Sequence, residues 1–151
     1  MIPSDIQNFL NLHELKALEF DEGSTPTAKA AADKIGVSVG QIAKSILVKG
    51  KNGNFYLIVC AGDKRIDTKK TKALTGTKTR MATAEELFDI TGFKPGEVCP
   101  FRKLEISTFL DSSLKEYTTI YPAAGTDSSG VPISFEKLIE ITGASECSVT
   151  D

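Results

Sequence analysis

Two apolar runs, Gln41–Lys49 and Phe55–Ala61, are separated only by a polar turn segment, Lys51-Asn52-Gly53-Asn54, and this pair constrains the chain most. Each run is rich in β-branched and aliphatic residues and is bounded by turn formers, the pattern of a strand. Asn-Gly at the centre of so short a connection predicts a tight hairpin. The second run is apolar at nearly every position, which suits a central strand rather than an edge. A chain carrying this hairpin has to build a sheet and cover it.

Lys44 interrupts the first run. An ammonium is costly to bury unless something anionic meets it. It is also a compact point charge for a phosphate or a carboxylate. The plainer reading is a lysine on the solvent face of an alternating strand, since Ser45 and Lys49 interrupt the same run. From this stretch alone both readings stand.

Helical signals surround the hairpin. Ser4 with Gln7 has the spacing of a capping box, and Ile6, Phe9, Leu10, His13 and Ala17 predict an amphipathic helix over 5–16. Residues 17–20 make a short strand. Thr27 caps an alanine-rich helix over 28–35 that Gly36 stops. Asp67 opens a helix that Gly76 closes, and Thr83 with Glu86 forms a capping box for a helix ending at Gly92. Ser134 or Phe135 starts the last helix, which Gly143 ends. Short extended stretches are expected at 79–82, 104–107, 118–121 and 131–133. Strands and helices intermix without a strict βαβ period, and no linker divides the chain. A single α/β or α+β domain over 1–151 follows, large enough to bury about two thirds of its unfolded surface.

Three cysteines at wide spacings, with no CxxC pair and one histidine, speak against a zinc site. No apolar run approaches membrane-spanning length and no leader pattern opens the chain, so free thiols point to a cytoplasmic setting without a membrane partner. Net charge is −2, which announces no nucleic-acid binder. Locally, however, Lys64, Arg65, Lys69, Lys70, Lys72, Lys78 and Arg80 form a basic cluster, accompanied only by Asp63 and Asp67. Such a cluster is either a solvated helix face or a patch for a polyanion.

Two loops can carry chemistry. Gly92-Phe93-Lys94-Pro95-Gly96-Glu97-Val98-Cys99-Pro100-Phe101 holds two glycines and two prolines, which set a backbone shape and leave amides free for a ligand. Ala123-Ala124-Gly125-Thr126-Asp127-Ser128-Ser129-Gly130 combines small residues, hydroxyls and one acid. Each is a ligand loop or a structural turn. Neither matches a phosphate-binding glycine motif or a serine-nucleophile elbow. Cys60 reads as a buried, inert thiol. Cys99 with His13 as its base is the weakest enzymatic reading, because nothing local supports the pairing.

Taken together, Lys44 within Gln-Ile-Ala-Lys-Ser-Ile, the Gly92–Phe101 loop and Ala123-Ala124-Gly125-Thr126 occur in an order that resembles the YbaK / prolyl-tRNA synthetase editing-domain family. The likeness runs from the opening helix to Ile141-Thr142-Gly143-Ala144. It implies a mixed, mostly antiparallel sheet or partly closed barrel packed with helices. It also implies a trans-editing deacylase that cleaves the ester of mischarged tRNA, with Cys-tRNA or Ala-tRNA on tRNA(Pro) as substrate. The expected partner is the aminoacylated acceptor end of tRNA, with a synthetase as a second candidate, and no metal or other cofactor is expected. By this resemblance Lys44 contacts the aminoacyl-adenosine end. Gly92, Pro95, Gly96 and Pro100 hold the substrate's amino group and orient its carbonyl, and Ala124, Gly125 and Thr126 wall the pocket. Alanine-clearing members carry a histidine near the second loop, where this chain has Ala124 and Asp127. Cysteine-clearing members often carry an aspartate where Val131 and Pro132 stand. Phe20 occupies the place of a common tyrosine. Asp127 is either the replacement polar group or a solvated loop acid. The alternative to a hydrolase is a non-catalytic module of the same fold that binds aminoacyl-tRNA or an amino acid.

Overall fold

The computed structural model describes residues Met1–Asp151. Strand β2 (Ile42–Gly50) turns at Lys51–Asn54 and returns as β3 (Phe55–Ala61), with Ala43 opposite Ala61 and Lys49 opposite Phe55. The expected hairpin is therefore present, and β3 is central. On its far side β3 pairs in parallel with β5 (Ser107–Asp111), and β5 in parallel with β8 (Ser145–Cys147). The outer edge of β2 is shared. Strand β4 (Thr79–Met81) runs antiparallel to its end, and β6 (Tyr121–Pro122) runs parallel to its beginning. A separate two-stranded ladder joins β1 (Leu18–Glu19) to β7 (Ser129–Gly130). The six-stranded sheet is mixed and open, so of the two expected forms the partly closed barrel is not realised.

Side-chain alternation along these strands sorts the core into two faces. Ala43, Val59, Ala61 and Leu110 point to a large cluster containing Ile6 and Leu10 of α1 (Ser4–Leu12) and Phe135 and Leu138 of α5 (Phe135–Thr142). Val48, Ile58, Cys147 and Val149 form a smaller cluster on the other face, under Leu74 of α3 (Thr68–Thr75). The caps behave as their sequences require. Thr27 accepts from Ala30 N–H at the start of α2 (Ala28–Ile35), Asp67 from Lys69 and Lys70 N–H, and Ser134 from Lys137 N–H. Thr83 and Glu86 form a reciprocal capping box on α4 (Ala84–Thr91).

Several expectations need correction; among them, the stretch expected at 131–133 makes only an isolated bridge, from Ile133 to Ile120. Helix α1 ends at Leu12, not residue 16, and Pro3 rather than Ser4 occupies its cap position with no side-chain bond. Gln7 reaches forward to Asn11 instead, at 2.9 Å, and His13 folds back onto the Phe9 ring, centroids 4.7 Å apart. The strand expected over 104–107 begins only at Ser107 and runs to Asp111, because pairing with β3 selects Phe109 and Leu110. Strand β8 was not anticipated, since its residues, Ser145, Glu146 and Cys147, have no strand-like pattern of their own.

Candidate active site

Between β6 and β4, residues Lys44–Ile46 of β2 have no strand beside them on the outer edge. A cleft of about 180 Å³ opens at this gap. Thr25, Ala28 and Ala31 line it from the α2 side, Ala43, Lys44 and Ser45 from β2, Gly96 and Val98 from the first loop, and Thr126 and Asp127 from the second. The two loops singled out by sequence thus meet at the lysine. Ser45, Gly96 and Val98 also line an apolar cavity of about 210 Å³ on the other side of the gap.

The first loop is fixed at both ends. Phe93, Cys99 and Phe101 are buried in the main core. Between them Lys94 and Glu97 close a turn over Pro95–Gly96: Glu97 N–H donates to the Lys94 carbonyl at 3.0 Å, and Lys94 N–H to Glu97 Oε1 at 2.9 Å. The turn faces the second loop: a Cβ added to Gly96 would lie 3.6 Å from Asp127 Cβ, an ordinary contact. Arg102 fastens the assembly from outside. Its guanidinium donates to both Asp5 carboxylate oxygens at 2.8 and 3.0 Å and to the Thr91 carbonyl at 3.1 Å, and it covers the Phe93 ring at 4.3 Å. Those hydrogen bonds hold the Asp5 carboxyl below the usual range.

Ser129 organises the second loop, accepting from Ala124 N–H at 2.9 Å and from the Thr126 hydroxyl at 2.8 Å. The Asp127 carbonyl accepts from the Thr25 hydroxyl at 2.8 Å, which ties the loop to the entry of α2. The Asp127 side chain is left exposed at the rim.

Lys44 is half-buried, and its ammonium donates to the Lys64 carbonyl. An ammonium carries three donors, so this bond leaves two for a ligand.

The structure groups the predicted site residues unequally. Lys44, Gly96, Thr126 and Asp127 share the cleft. Phe20, Gly92 and Gly125 line a neighbouring groove of about 300 Å³, which includes Thr126 and Asp127 as a common wall. Pro95 lies on the cavity beyond the gap. Pro100 is turned towards a groove beside Phe9, and Ala124 is fully buried in the core, so both act on the site only through the loops they shape.

Thr25 and Ser45 were not anticipated. Ser45 lines the cleft, and its Oγ is buried without a hydrogen-bond partner. Its only sequence signal was a hydroxyl beside Lys44. Burial pushes the Cys99 thiol up to about 12, and it packs in the core, so the nucleophile reading of Cys99 is not realised.

The basic cluster is divided. Lys69, Lys70 and Lys72 are exposed on α3, while Lys78 and Arg80 join Lys49 and Lys51 around a groove of about 430 Å³ at the hairpin end of β2. Arg80 is engaged by Glu86 through two bonds of 2.8 and 2.9 Å.

Comparison with known proteins shows the family and the fold of the chain. The profile of the aminoacyl-tRNA editing domain family matches residues 22–141. The uncharacterized protein YwhH of Bacillus subtilis (strain 168) is 39% identical over 122 residues, covering 80% of this chain and 78% of that protein. A protein of Enterococcus faecalis provisionally described as the Cys-tRNA(Pro)/Cys-tRNA(Cys) deacylase EbsC is 25% identical over 126 residues, 82% of this chain and 77% of its own. Among solved structures, one provisionally described as a trans-editing enzyme for prolyl tRNA synthetase superposes with a TM-score of 0.89 at 32% identity, covering 100% of this chain and 99% of that one.

Proposed function

The chain belongs to the aminoacyl-tRNA editing domain family, and from that premise we propose that it is a trans-editing deacylase acting on tRNA(Pro) mischarged with cysteine or alanine. The observation that carries this reading is the meeting of Lys44 with the Pro95–Gly96 turn and the Thr126–Asp127 segment around one small cleft. A cleft of about 180 Å³ supports this reading, being of a size to take a small amino-acid side chain.

The reaction is ester hydrolysis. Water adds to the carbonyl carbon, the bond from that carbon to the ribose oxygen breaks, and the departing oxygen takes up a proton. Free amino acid and an intact tRNA end result. An activated ester requires mainly a positioned water and stabilisation of the developing oxyanion. In this reading Lys44 supplies positive charge to the terminal adenosine while the Lys64 carbonyl holds it in place. The Pro95–Gly96 backbone meets the amino group and ester, and Ser45 and Thr126 contact the amino-acid side chain. The groove bearing Phe20, Gly92 and Gly125 receives the nucleotide next to the ester. A synthetase that mischarges this tRNA is the natural second partner.

The test is a deacylation panel with tRNA charged with cysteine, alanine, serine or threonine, run for the parent chain and Lys44→Ala. Clearance of cysteine or alanine, reduced about a hundredfold or more in Lys44→Ala, is expected. Binding of charged tRNA with hydrolysis of none would favour the non-catalytic module instead. The same panel run across salt concentrations reads the basic groove, because phosphate contacts make affinity fall steeply with salt.

A further inference from the structure

Lys44, Cys60, Asp111 and Cys147 stand in one row across four strands. Lys44 pairs with Cys60, Asp111 with Cys147, and Cys60 lies one step beyond the Val59–Leu110 pair, opposite Asp111. Adjacent strands lie about 4.8 Å apart, so Lys44 and Asp111 are separated by about 10 Å across the sheet. No hydrogen bond joins the two side chains directly: Asp111 accepts from Ser113, Cys147, Val149 and Thr150, and Lys44 donates to the Lys64 carbonyl. They are nevertheless joined through the turn that follows β3.

Asp111 is fully buried and all its partners are neutral. Its carboxylate accepts from Val149 N–H at 2.7 Å, from the Thr150 hydroxyl at 2.8 Å and from Ser113 N–H at 3.1 Å. Burial alone would raise its pKa, but the bonds from Ser113, Val149 and Thr150 outweigh that and hold it below the usual carboxylate range.

Both groups of partners reach the same turn. Ser113 Oγ accepts from Ala61 N–H at 3.1 Å, where the turn leaves β3. Val149–Asp151 pair with the other end: Asp67 N–H donates to the Val149 carbonyl at 2.6 Å, Asp151 N–H to the Arg65 carbonyl at 3.2 Å, and Ile66 bridges to Thr150. Between these anchors Lys64 N–H closes on the Ala61 carbonyl, and the Lys64 carbonyl receives the Lys44 ammonium. The outside of the turn is equally tight, since a Cβ on Gly62 would lie 2.5 Å from the Val39 carbonyl oxygen.

We propose that Asp111 is a positioning residue for Lys44: its carboxylate clamps both ends of the Ala61–Asp67 turn, and the turn presents the carbonyl that aims the ammonium at the cleft. The proposal rests on Lys44 serving the deacylation described above. A cation displaced by about 1 Å holds the terminal adenosine, and with it the ester, out of place, at a cost of the order of a hundredfold in rate.

Three variants test it. Asp111→Asn removes the charge and turns an amide N–H towards existing donors. Ser113→Ala removes the acceptor of Ala61 N–H together with a hydroxyl that favours the ionised Asp111 carboxylate, and Thr150→Val removes only the Thr150 hydroxyl, so these two decide the matter where Asp111→Asn fails to fold. Each is expected to lower kcat/KM about tenfold to a hundredfold, with Thr150→Ser retaining parent activity. In a Lys44→Ala background, under single-turnover conditions, Ser113→Ala should add no further loss. The ¹⁵Nζ signal of Lys44 should also shift or broaden in Ser113→Ala and Thr150→Val. An equal further loss in the Lys44→Ala background, or an unmoved Lys44 signal in the folded variants, would overturn the clamp. Full activity in Lys44→Ala would instead remove the catalytic reading of the lysine, and the nitrogen signal would still decide the clamp by itself.

Discussion

Gly125 shows how little room the site leaves. Its φ is +86°, and a Cβ there would lie 2.4 Å from Ile6 Cδ1 and 3.4 Å from Phe93. The glycine seals the second loop onto α1, where a side chain would meet both strain and a clash. Gly125→Ala is expected to lose about 1–3 kcal/mol of stability, and urea unfolding with unchanged slope would check this; a loss below 0.5 kcal/mol would refute it. At this scale the apolar run left Lys44 open between a solvent-face lysine and a ligand contact, and only the family resemblance singled it out. Ser45 was legible only as a competing polar interruption. Strand alternation sends neighbours to opposite faces, and only the gap in the β2 edge lets both reach one cleft.

The decisive element is the Gly92–Phe101 loop, and its behaviour depends on Arg102 just beyond it. The guanidinium joins α1, the end of α4 and the Phe93 ring. Asp5 is largely exposed, so solvent screening limits the ion pair itself, and the bond to the Thr91 carbonyl and the ring contact carry more of the effect. Replacing Arg102 by Leu should loosen the loop more than it unfolds the chain. Faster hydrogen exchange at residues 93–99 and a several-fold rise in KM are expected, with kcat changed less; undisturbed exchange would count against this role. The helices around the loop were readable because caps are local. Thr27, Asp67, Thr83 and Ser134 each satisfy backbone N–H groups within three residues. The capping box expected at Ser4 failed because Pro3 takes the cap position.

At the scale of the whole molecule, packing keeps the three buried, free cysteines as protonated thiols. Burial raises Cys60 to about 11 and Cys99 and Cys147 to about 12. An unfolded thiol releases its proton near pH 8.5. The folded state therefore binds more protons above that pH, and stability present below it is lost as pH rises towards 11–12. The fall should approach about 1.4 kcal/mol per pH unit for each thiol. Denaturant midpoints measured from pH 8 to 10.5 check the sign, and replacing all three cysteines by alanine should flatten the decline. A parent chain as steep as the variant would refute it.

The sequence by itself determined what acts over short spans: the hairpin, the helix stops, the loop compositions and the family pattern carried by Lys44 and the two loops. Tertiary structure alone decided which strands pair beyond the hairpin. Ser145–Cys147 becomes a strand only because β5 offers it an edge, and Asp111 ends a strand under a tail nearly forty residues later. It also divided the site, placing Lys44, Gly96, Thr126 and Asp127 on one cleft while burying Ala124 and turning Pro100 away. The physical reason is range. Caps and turns are satisfied by neighbours in the chain, whereas a cleft is the space left over after distant elements have packed.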